Sequence, residues 1–136
     1  MFKKIIVPVD IATPEKGLDI FTKAASLMDE GGQIVLLHVV EEVPTYLAID
    51  IPVDMIENAA NEAQDRLTEL RARTGIDATI ELRIGPPARE ILACAEEQGA
   101  DLIIIASHRP DFSNYLIGST ADRVVRHAKC SVLVRR

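Results

Sequence analysis

Polar residues suited to ligand binding follow two apolar runs that are far apart in the sequence. Asp10 ends the segment KKIIVPVD, and the turn SHR at residues 107–109 follows the run LIIIA at residues 102–106. A helix-like segment then opens on GST at residues 118–120. Free N–H groups at a helix start favour an anion such as phosphate. A carboxylate at the end of a first strand suits the hydroxyls of a ribose or the exocyclic amine of adenine.

A purely structural role for Asp10 is the alternative. A carboxylate after a first strand is often only the cap of the next helix. Thr13 is the better-placed cap here, because Pro14 follows it at a position where the first helical turn tolerates proline. Strand ends in sheets of this kind frequently carry ligand-binding groups. The sequence therefore favours a binding role for Asp10.

The remaining reactive side chains favour structure over catalysis. His38 lies inside an apolar strand, where a hydrogen-bonded core histidine is the commoner case. His108 lies in the polar turn without an evident carboxylate partner, and His127 falls at a basic helix end. The sequence contains no serine nucleophile motif and no set of Cys, His and Asp residues whose spacing suggests a catalytic triad. Cys94 and Cys130 lack the CxxC spacing of a metal site, so we expect two free thiols. Taken together, these side chains predict no catalytic residue and no metal ligand.

Strands and helices alternate along the chain. Apolar runs predict strands at residues 3–9, 33–40, 78–83, 102–106 and 131–135. Apolar residues spaced three and four apart predict four intervening helices, with stripes at Gly17, Ile20, Phe21, Ala24 and Met28; at Ile56, Ala59, Ala60, Ala63, Leu67 and Leu70; at Ala88, Ile91, Leu92 and Ala95; and at Ala121, Val124, Val125 and Ala128. Glycines at the predicted ends of three helices suit a left-handed cap: Gly31-Gly32, Gly75 and Gly99.

This alternation predicts an α/β fold built as a single domain over residues 1–136. We expect an open, Rossmann-like sheet of five parallel strands in the order 3-2-1-4-5, with helices on both faces. Strand order then reverses between the first and fourth strands, where such sheets bind ligands at the carboxyl ends of the strands. The irregular stretch 41–54 is predicted to be a loop. Asp10 and the turn at 107–109 therefore meet in one predicted crevice.

Composition restricts the class of protein. The 136 residues are 48% hydrophobic and 26% charged, with a formal net charge of −6, which describes one globular domain. The acidic balance argues against a nucleic-acid partner, because phosphate backbones favour clustered Lys and Arg. The apolar start of the chain is too short for a signal peptide, and nothing approaches a membrane span. We therefore expect a cytoplasmic protein without membrane insertion.

Three separated motifs resemble the universal stress protein family over essentially the whole chain. KKIIVPVD matches the family's first strand and aspartate, IVLLHVVEE matches its second strand, and IIIASHRPDFSNYLIGSTADRVVRHAKCSVLV matches its ending. In nucleotide-binding members that ending carries Gly, two residues, Gly, nine residues, then Gly-Ser or Gly-Thr. SHRPD followed by YLIGS is similar to the F/G branch of the bacterial family. The resemblance implies an ATP site.

The residues implied for this site come from four segments. They are Pro8, Val9 and Asp10 around adenine and ribose; Val39 at the adenine edge; Ile105, Ala106, Ser107, His108 and Arg109 in the phosphate turn; and Gly118, Ser119 and Thr120 at the phosphate-binding helix start. Ala106 and Arg109 stand where the family pattern has glycine, and the spacer 110–117 has eight residues. Arg109 can supply a charge-assisted phosphate contact, whereas Pro110 has no N–H to donate. We therefore expect a remodelled phosphate grip.

The function expected from this resemblance is an ATP-binding stress or regulatory protein, with Mg²⁺ as a possible companion of the nucleotide. It would act through nucleotide-dependent association with an unknown protein partner and with little or no hydrolysis. The alternative is a member that binds no nucleotide and acts only through protein contacts. The apolar last strand, CSVLVRR, lies at the predicted sheet edge. Together with the resemblance it implies a homodimer, or a dimer of dimers, through that strand.

Overall fold

The fold is a parallel sheet covered by helices on both faces. In a computed structural model, the chain is described at residues 1–41, 53–107 and 118–136. The elements are β1 (Phe2–Pro8), α1 (Pro14–Leu27), β2 (Met28–Val40), α2 (Val53–Thr74), β3 (Thr79–Ile84), α3 (Pro87–Gln98), β4 (Leu102–Ala106), α4 (Ser119–His127) and β5 (Ser131–Arg135). The described strands are all parallel and lie in the order β3-β2-β1-β4-β5. The predicted α/β fold and strand order are confirmed.

The apolar runs of the sequence form the centre of this sheet. β1, β2 and β4 contribute continuous buried stretches, because their side chains are covered alternately by the helices on the two faces. Ile5 and Val7 pack with α1 and α2, whereas Ile6 between them packs with α3 and α4. A strand buried on both faces cannot alternate apolar and polar residues. This requirement explains the runs IIV, IVLL and LIII.

Two of the three predicted glycine caps are confirmed. Gly75 and Gly99 follow α2 and α3 with φ of 68° and 65°. The Gly99 N–H donates to carbonyl groups of the last turn of α3, as expected of a left-handed cap. Thr13 does occupy the N-cap position of α1, although its side chain makes no capping hydrogen bond to the described backbone.

The third glycine pair was predicted wrongly. α1 already ends at Leu27, and Met28 is extended and opens β2 instead of extending the helical stripe. Gly31, with φ of 78°, lies inside β2, at an irregularity where β1 advances from Phe2 to Lys4 while β2 advances from Met28 to Gln33. The glycines therefore serve this irregularity of the strand: Gly31 supplies a positive φ, and a Cβ on Gly32 would lie 2.6 Å from Met28 Cγ.

Three further predictions fail at the ends of elements. Ile56 and Val125 are exposed instead of buried. Ile56 lies in the first turns of α2, whose buried residues begin only at Ala63, and α4 covers the sheet through the narrower stripe of Ala121 and Val124. The predicted loop 41–54 is also too long at its end, since α2 already begins at Val53; residues 42–52 lie outside the described residues.

Candidate functional site

A crevice opens at the carboxyl ends of the strands, where the chain order reverses between β1 and β4. Its volume is about 340 Å³, within the usual range of small-molecule sites. Seven of the residues predicted from the sequence line it: Pro8, Val9, Asp10, Val39, Ile105, Ala106 and Thr120. They come from β1, β2, β4 and α4, which are widely separated in sequence. The structure therefore assembles the predicted motifs around one cavity.

The exit of β1 supplies both an apolar wall and an acid. Val9 is buried, and its N–H donates to the carbonyl of Leu37 at 2.8 Å, which extends the strand pairing past Pro8. Asp10 is exposed, and its Oδ1 accepts the N–H of Ala12 at 2.9 Å. The Asp10 carbonyl also accepts the N–H of Thr13 at 3.1 Å. The carboxylate therefore shapes the turn before α1, a structural role that coexists with its position at the crevice.

His38 belongs to this site, which the sequence reasoning missed. It is half-buried, lines the crevice, and its Nδ1 lies 2.8 Å from the carbonyl oxygen of Val9. The expectation of a hydrogen-bonded histidine is confirmed. Its place in the interior is not, because β2 ends only two residues later and leaves the ring at the rim of the sheet. The run LLHVV contains no local signal that separates these two positions.

α1 also contributes wall residues that the sequence did not identify. Gly17 is buried against Val9, and a Cβ on this glycine would lie 2.8 Å from Val9 Cγ1. The absent side chain therefore lets α1 approach the β1 exit. Lys16 is half-buried and lines both the crevice and an adjoining cavity of about 230 Å³. This lysine places a positive charge near the predicted phosphate region.

The start of α4 faces the same crevice. Gly118 is its N-cap, with no side chain to cap the first turn, and the helix begins at Ser119. Thr120 and Ala121 line the crevice, whereas Gly118 and Ser119, also predicted site residues, directly precede them in the chain and are not among the wall residues. The first N–H groups of a helix carry a partial positive charge and suit an anion.

The end of β4 contributes to both cavities, and Ala106 lines the two of them. Ile105 and Ala106 line the crevice, whereas Ser107 is buried at the adjoining cavity and its N–H donates to the carbonyl of Arg135 at 2.9 Å. The structure therefore places Ser107 beside the predicted site and not in its wall. His108 and Arg109, both predicted site residues, lie outside the described residues, as do Pro110 and Asp111.

A second group of charged and polar side chains lies on the sheet edge formed by β3 and on α3. We call this group, comprising Glu81, Arg83, Glu90, Cys94, Glu97 and Gln98, the edge cluster. Glu81 accepts hydrogen bonds from Arg83 Nε at 2.9 Å, Cys94 Sγ at 2.8 Å and Gln98 Nε2 at 3.1 Å. Arg83 also pairs with Glu97, and its Nη1 lies 3.8 Å from Glu90 Oε1.

The pKa values in the edge cluster follow from these contacts. Burial alone would raise the pKa of Glu81, but hydrogen bonds from Cys94 and Arg83 and the Arg83 charge outweigh it and hold that pKa below its ordinary value. Burial, followed by the hydrogen bond to the Glu81 carboxylate, raises the pKa of the Cys94 thiol to about 12. The thiol is therefore protonated and poorly reactive at neutral pH. Cys94 and Cys130 are both free, as predicted.

Over residues 1–41, 53–107 and 118–136, no group of three or more His, Cys, Asp or Glu side chains is arranged to hold a metal ion. Within the same ranges, no helix has the length and apolar character needed to cross a membrane.

Comparison with known proteins decides the family. The profile of the Universal stress protein family matches residues 1–136. The chain belongs to this family. It is 34% identical to Universal stress protein G of Shigella flexneri over 142 aligned positions that cover 100% of both chains. The resemblance seen in the sequence, including its G-type character, is confirmed.

Solved structures of similar fold agree with the sheet described above. The hypothetical protein MJ0577 superimposes with a TM-score of 0.82 at 24% identity, covering 100% of this chain and 98% of that one. A universal stress protein solved in complex with cAMP superimposes with a TM-score of 0.64 at 20% identity, covering 99% and 97% of the two chains. At these identities the likeness establishes the shared fold.

Proposed function

We propose that this universal stress protein binds ATP in the crevice and uses the bound nucleotide to regulate its association with a protein partner. The observation that carries the proposal is the convergence of the motifs. The β1 exit, the end of β2, the end of β4 and the start of α4 all line one cavity at the point where strand order reverses. Open α/β sheets bind nucleotides at this position.

The nucleoside half of the ligand fits the described walls. Val9, Val39 and Ile105 offer apolar surface from three neighbouring strands, suited to the faces of a base. Asp10, exposed at the mouth, would accept hydrogen bonds from the ribose hydroxyls. Adenine is also the base in the cAMP complex of a structural neighbour, which supports an adenine nucleotide as the ligand class.

The phosphate half would lie toward α4 and Lys16. The amides at the start of α4 and the Lys16 ammonium both favour an anion, and Mg²⁺ bound to the nucleotide would supply further positive charge. Ala106 lines the crevice where nucleotide-binding members carry glycine. Its Cβ keeps the backbone further from phosphate than a glycine would, so charged side chains take a larger share of phosphate binding.

We further propose that hydrolysis is slow and incidental. Phosphoryl transfer to water needs a group that orients the attacking water, and usually carboxylates that hold the metal ion. In the turn 107–117 the only acid of the sequence is Asp111. One acid beside Mg²⁺ would give at most a slow timer, and the protein would act through occupancy instead of turnover.

The second candidate function is association with a partner in the absence of nucleotide. Ala106 in the crevice wall, together with Arg109 and Pro110 in the sequence, favours this alternative, because each departs from the glycine-rich phosphate turn. Titration of the wild-type chain with ATP separates the two functions, and Arg109→Ala tests the contribution of Arg109 to phosphate binding. If Arg109 grips phosphate, this variant binds ATP more weakly than the wild-type chain. Wild-type protein that ignores ATP would make the partner-only function the better one.

We also propose that two copies pair through β5. This strand pairs with β4 on one side, and the sheet order leaves its other side at an edge. Exposed strand edges favour pairing with another strand. Light scattering at micromolar concentration should therefore give a mass of two or four chains instead of the 14.9 kDa of one. A monomeric mass at that concentration would refute the pairing.

Cytoplasmic localisation remains a prediction from the sequence.

The experiment that tests the proposed function is calorimetric titration with MgATP, followed by AMP and cAMP on the same preparation. We expect saturable binding of about one nucleotide per chain. ATP should bind more tightly than AMP, because Lys16 and the start of α4 would interact favourably with its additional phosphate groups. Equal affinity for AMP and ATP would contradict the assigned phosphate region, and the absence of any binding heat would contradict the proposed function.

A further inference from the structure

Val9, the residue before Asp10, is held by β2 through both of its backbone groups. The regular pairing of β1 with β2 ends at Pro8 opposite Leu37. Beyond that point the Val9 N–H donates to the Leu37 carbonyl, and the Val9 carbonyl lies 2.8 Å from Nδ1 of His38. The backbone thus anchors Val9 through its N–H, and a side chain anchors it through its carbonyl.

The partner of His38 determines the tautomer of its ring. A backbone carbonyl can only accept a hydrogen bond, so Nδ1 must carry the proton and donate. In the neutral ring Nε2 is then without a proton.

Asp10 depends on this contact through the geometry of the peptide bond. The Val9 carbonyl and the Asp10 N–H belong to one planar unit, so fixing the carbonyl fixes the plane from which Asp10 starts. The Asp10 carboxylate then closes the next turn by accepting the Ala12 N–H at 2.9 Å. Two of the contacts on this turn, one from His38 and one from Ala12, therefore act on the position of the carboxylate.

We propose that His38 is a positioning residue of the nucleotide site: its Nδ1–H locks the Val9–Asp10 peptide so that the Asp10 carboxylate meets the ribose in a preformed geometry. This inference rests on the proposed function. Without the lock, the peptide plane can rotate, and the ligand must order it on binding. The ordering cost appears as lost affinity, even though His38 need not touch the ligand.

The test compares His38→Leu with His38→Asn. Leucine removes the donor, whereas asparagine carries an N–H near the place of Nδ1 and can restore the bond to Val9. We expect MgATP affinity to fall about 5- to 10-fold in His38→Leu, which corresponds to one neutral hydrogen bond, and to recover to within about 2-fold in His38→Asn. His127→Leu is the matched control, because His127 is exposed on α4 outside the crevice wall and should leave affinity unchanged.

A double-mutant cycle with Asp10→Asn tests whether His38 acts through Asp10. Asparagine at position 10 keeps the oxygen that accepts the Ala12 N–H but removes the carboxylate charge. If His38 serves to aim that carboxylate, His38→Leu costs less affinity in the Asp10→Asn background than in the wild-type chain. Fully additive losses would overturn the positioning role, as would a fall in melting temperature in His38→Leu without a change in affinity.

The nitrogen-15 shifts of the His38 ring give a readout that needs no nucleotide. Near pH 8 we expect Nδ1 protonated and Nε2 bare; the opposite tautomer would overturn the inference. Wild-type protein that binds no nucleotide would overturn both the proposed function and the role of His38 in it. Wild-type binding with equal affinity in His38→Leu would overturn the positioning role alone.

Discussion

The edge cluster and the crevice use polar side chains in opposite ways. In the edge cluster the charged groups bind one another: Glu81 and Glu97 both pair with Arg83, and the Cys94 thiol donates to Glu81. In the crevice, Asp10 and His38 make hydrogen bonds to backbone groups and shape the turn after β1, beside a cavity of about 340 Å³. The first arrangement joins a helix to a strand, and the second presents a shaped, concave surface to a ligand.

A strongly shifted pKa and the proposed ligand site lie in different regions of this protein. Strongly shifted pKa values often mark functional sites, and here the Cys94 pKa of about 12 lies in the edge cluster. Burial of Cys94 and mutual pairing explain that shift without a ligand. The crevice is identified instead by topology, volume and the convergence of motifs. The proposed site therefore rests on geometry and not on a shifted pKa.

The largest effect that the comparison predicts is on Asp10. Asp10→Ala should lower MgATP affinity about 10- to 100-fold, because it removes a charged acceptor and the turn that this acceptor closes. The free energy of unfolding should fall by no more than about 1 kcal/mol, because the hydrogen bond lost from Ala12 lies on an exposed turn. Calorimetric titration and urea unfolding measure the two quantities. A variant that loses stability but keeps its affinity would make Asp10 a member of a structural cluster like the one on β3.

The opposite pattern is expected for Arg83. Arg83→Met leaves Glu81, Glu90 and Glu97 without their shared cation, and the Arg83 side chain is only 17% exposed. We expect the free energy of unfolding to fall by about 1–2 kcal/mol, with MgATP affinity unchanged. Arg66→Met is the matched control, because its pair with Glu62 is exposed and should contribute less than about 0.5 kcal/mol. Weakened nucleotide binding in Arg83→Met would break the separation between the two regions.

A smaller effect is expected in the pH dependence of stability. The folded pKa of Glu81 is lowered, so its ionised form stabilises the fold above the ordinary value near 4.5 and this contribution is lost as pH falls through the folded pKa. Asp101 acts in the same direction: burial would raise its pKa, but the backbone N–H groups of Lys3 and Lys4 together lower it. Glu81→Gln should therefore remove only part of the fall in the free energy of unfolding at acid pH, which we call the acid limb.

Urea unfolding of Glu81→Gln at a series of pH values between about 3 and 7 measures this limb. Glu62→Gln is the control, because its exposed carboxylate should leave the curve unchanged. An acid limb in Glu81→Gln as steep as that of the wild-type chain would show that the edge cluster does not hold Glu81 ionised.

The sequence predicted most of the fold because the central strands must be apolar throughout. The runs ending at Pro8, Val40 and Ala106 left little choice of element, and the alternation of strands and helices then indicated a parallel sheet. Alternation fits more than one strand order, so the order 3-2-1-4-5 was an assumption that the structure confirms. Element ends were harder to predict. Met28 has the spacing of the preceding helical stripe, but it is the first residue of β2. Gly31 has a positive φ, which suits a helix cap as well as it suits the irregularity in β2 where the residue lies.

The site was predicted unevenly for the same kind of reason. Asp10 follows the end of a strand, and Thr120 lies in the first turn of a helix. Both positions can be recognised directly in a sequence. His38, Lys16 and Gly17 reach the crevice only through the packing of β2 and α1 against the β1 exit. Their roles depend on contacts across the sheet, and a linear pattern does not contain them.

The central claim is that the crevice is an adenine nucleotide site. Its most direct test uses protein purified without added nucleotide: the chain is denatured, and any released small molecule is identified by chromatography and mass. We predict ATP at close to one molecule per chain, with AMP or ADP in its place if turnover is slow but real. A preparation that releases no nucleotide and gives no heat with MgATP would contradict the claim and leave a protein that acts through its partner contacts alone.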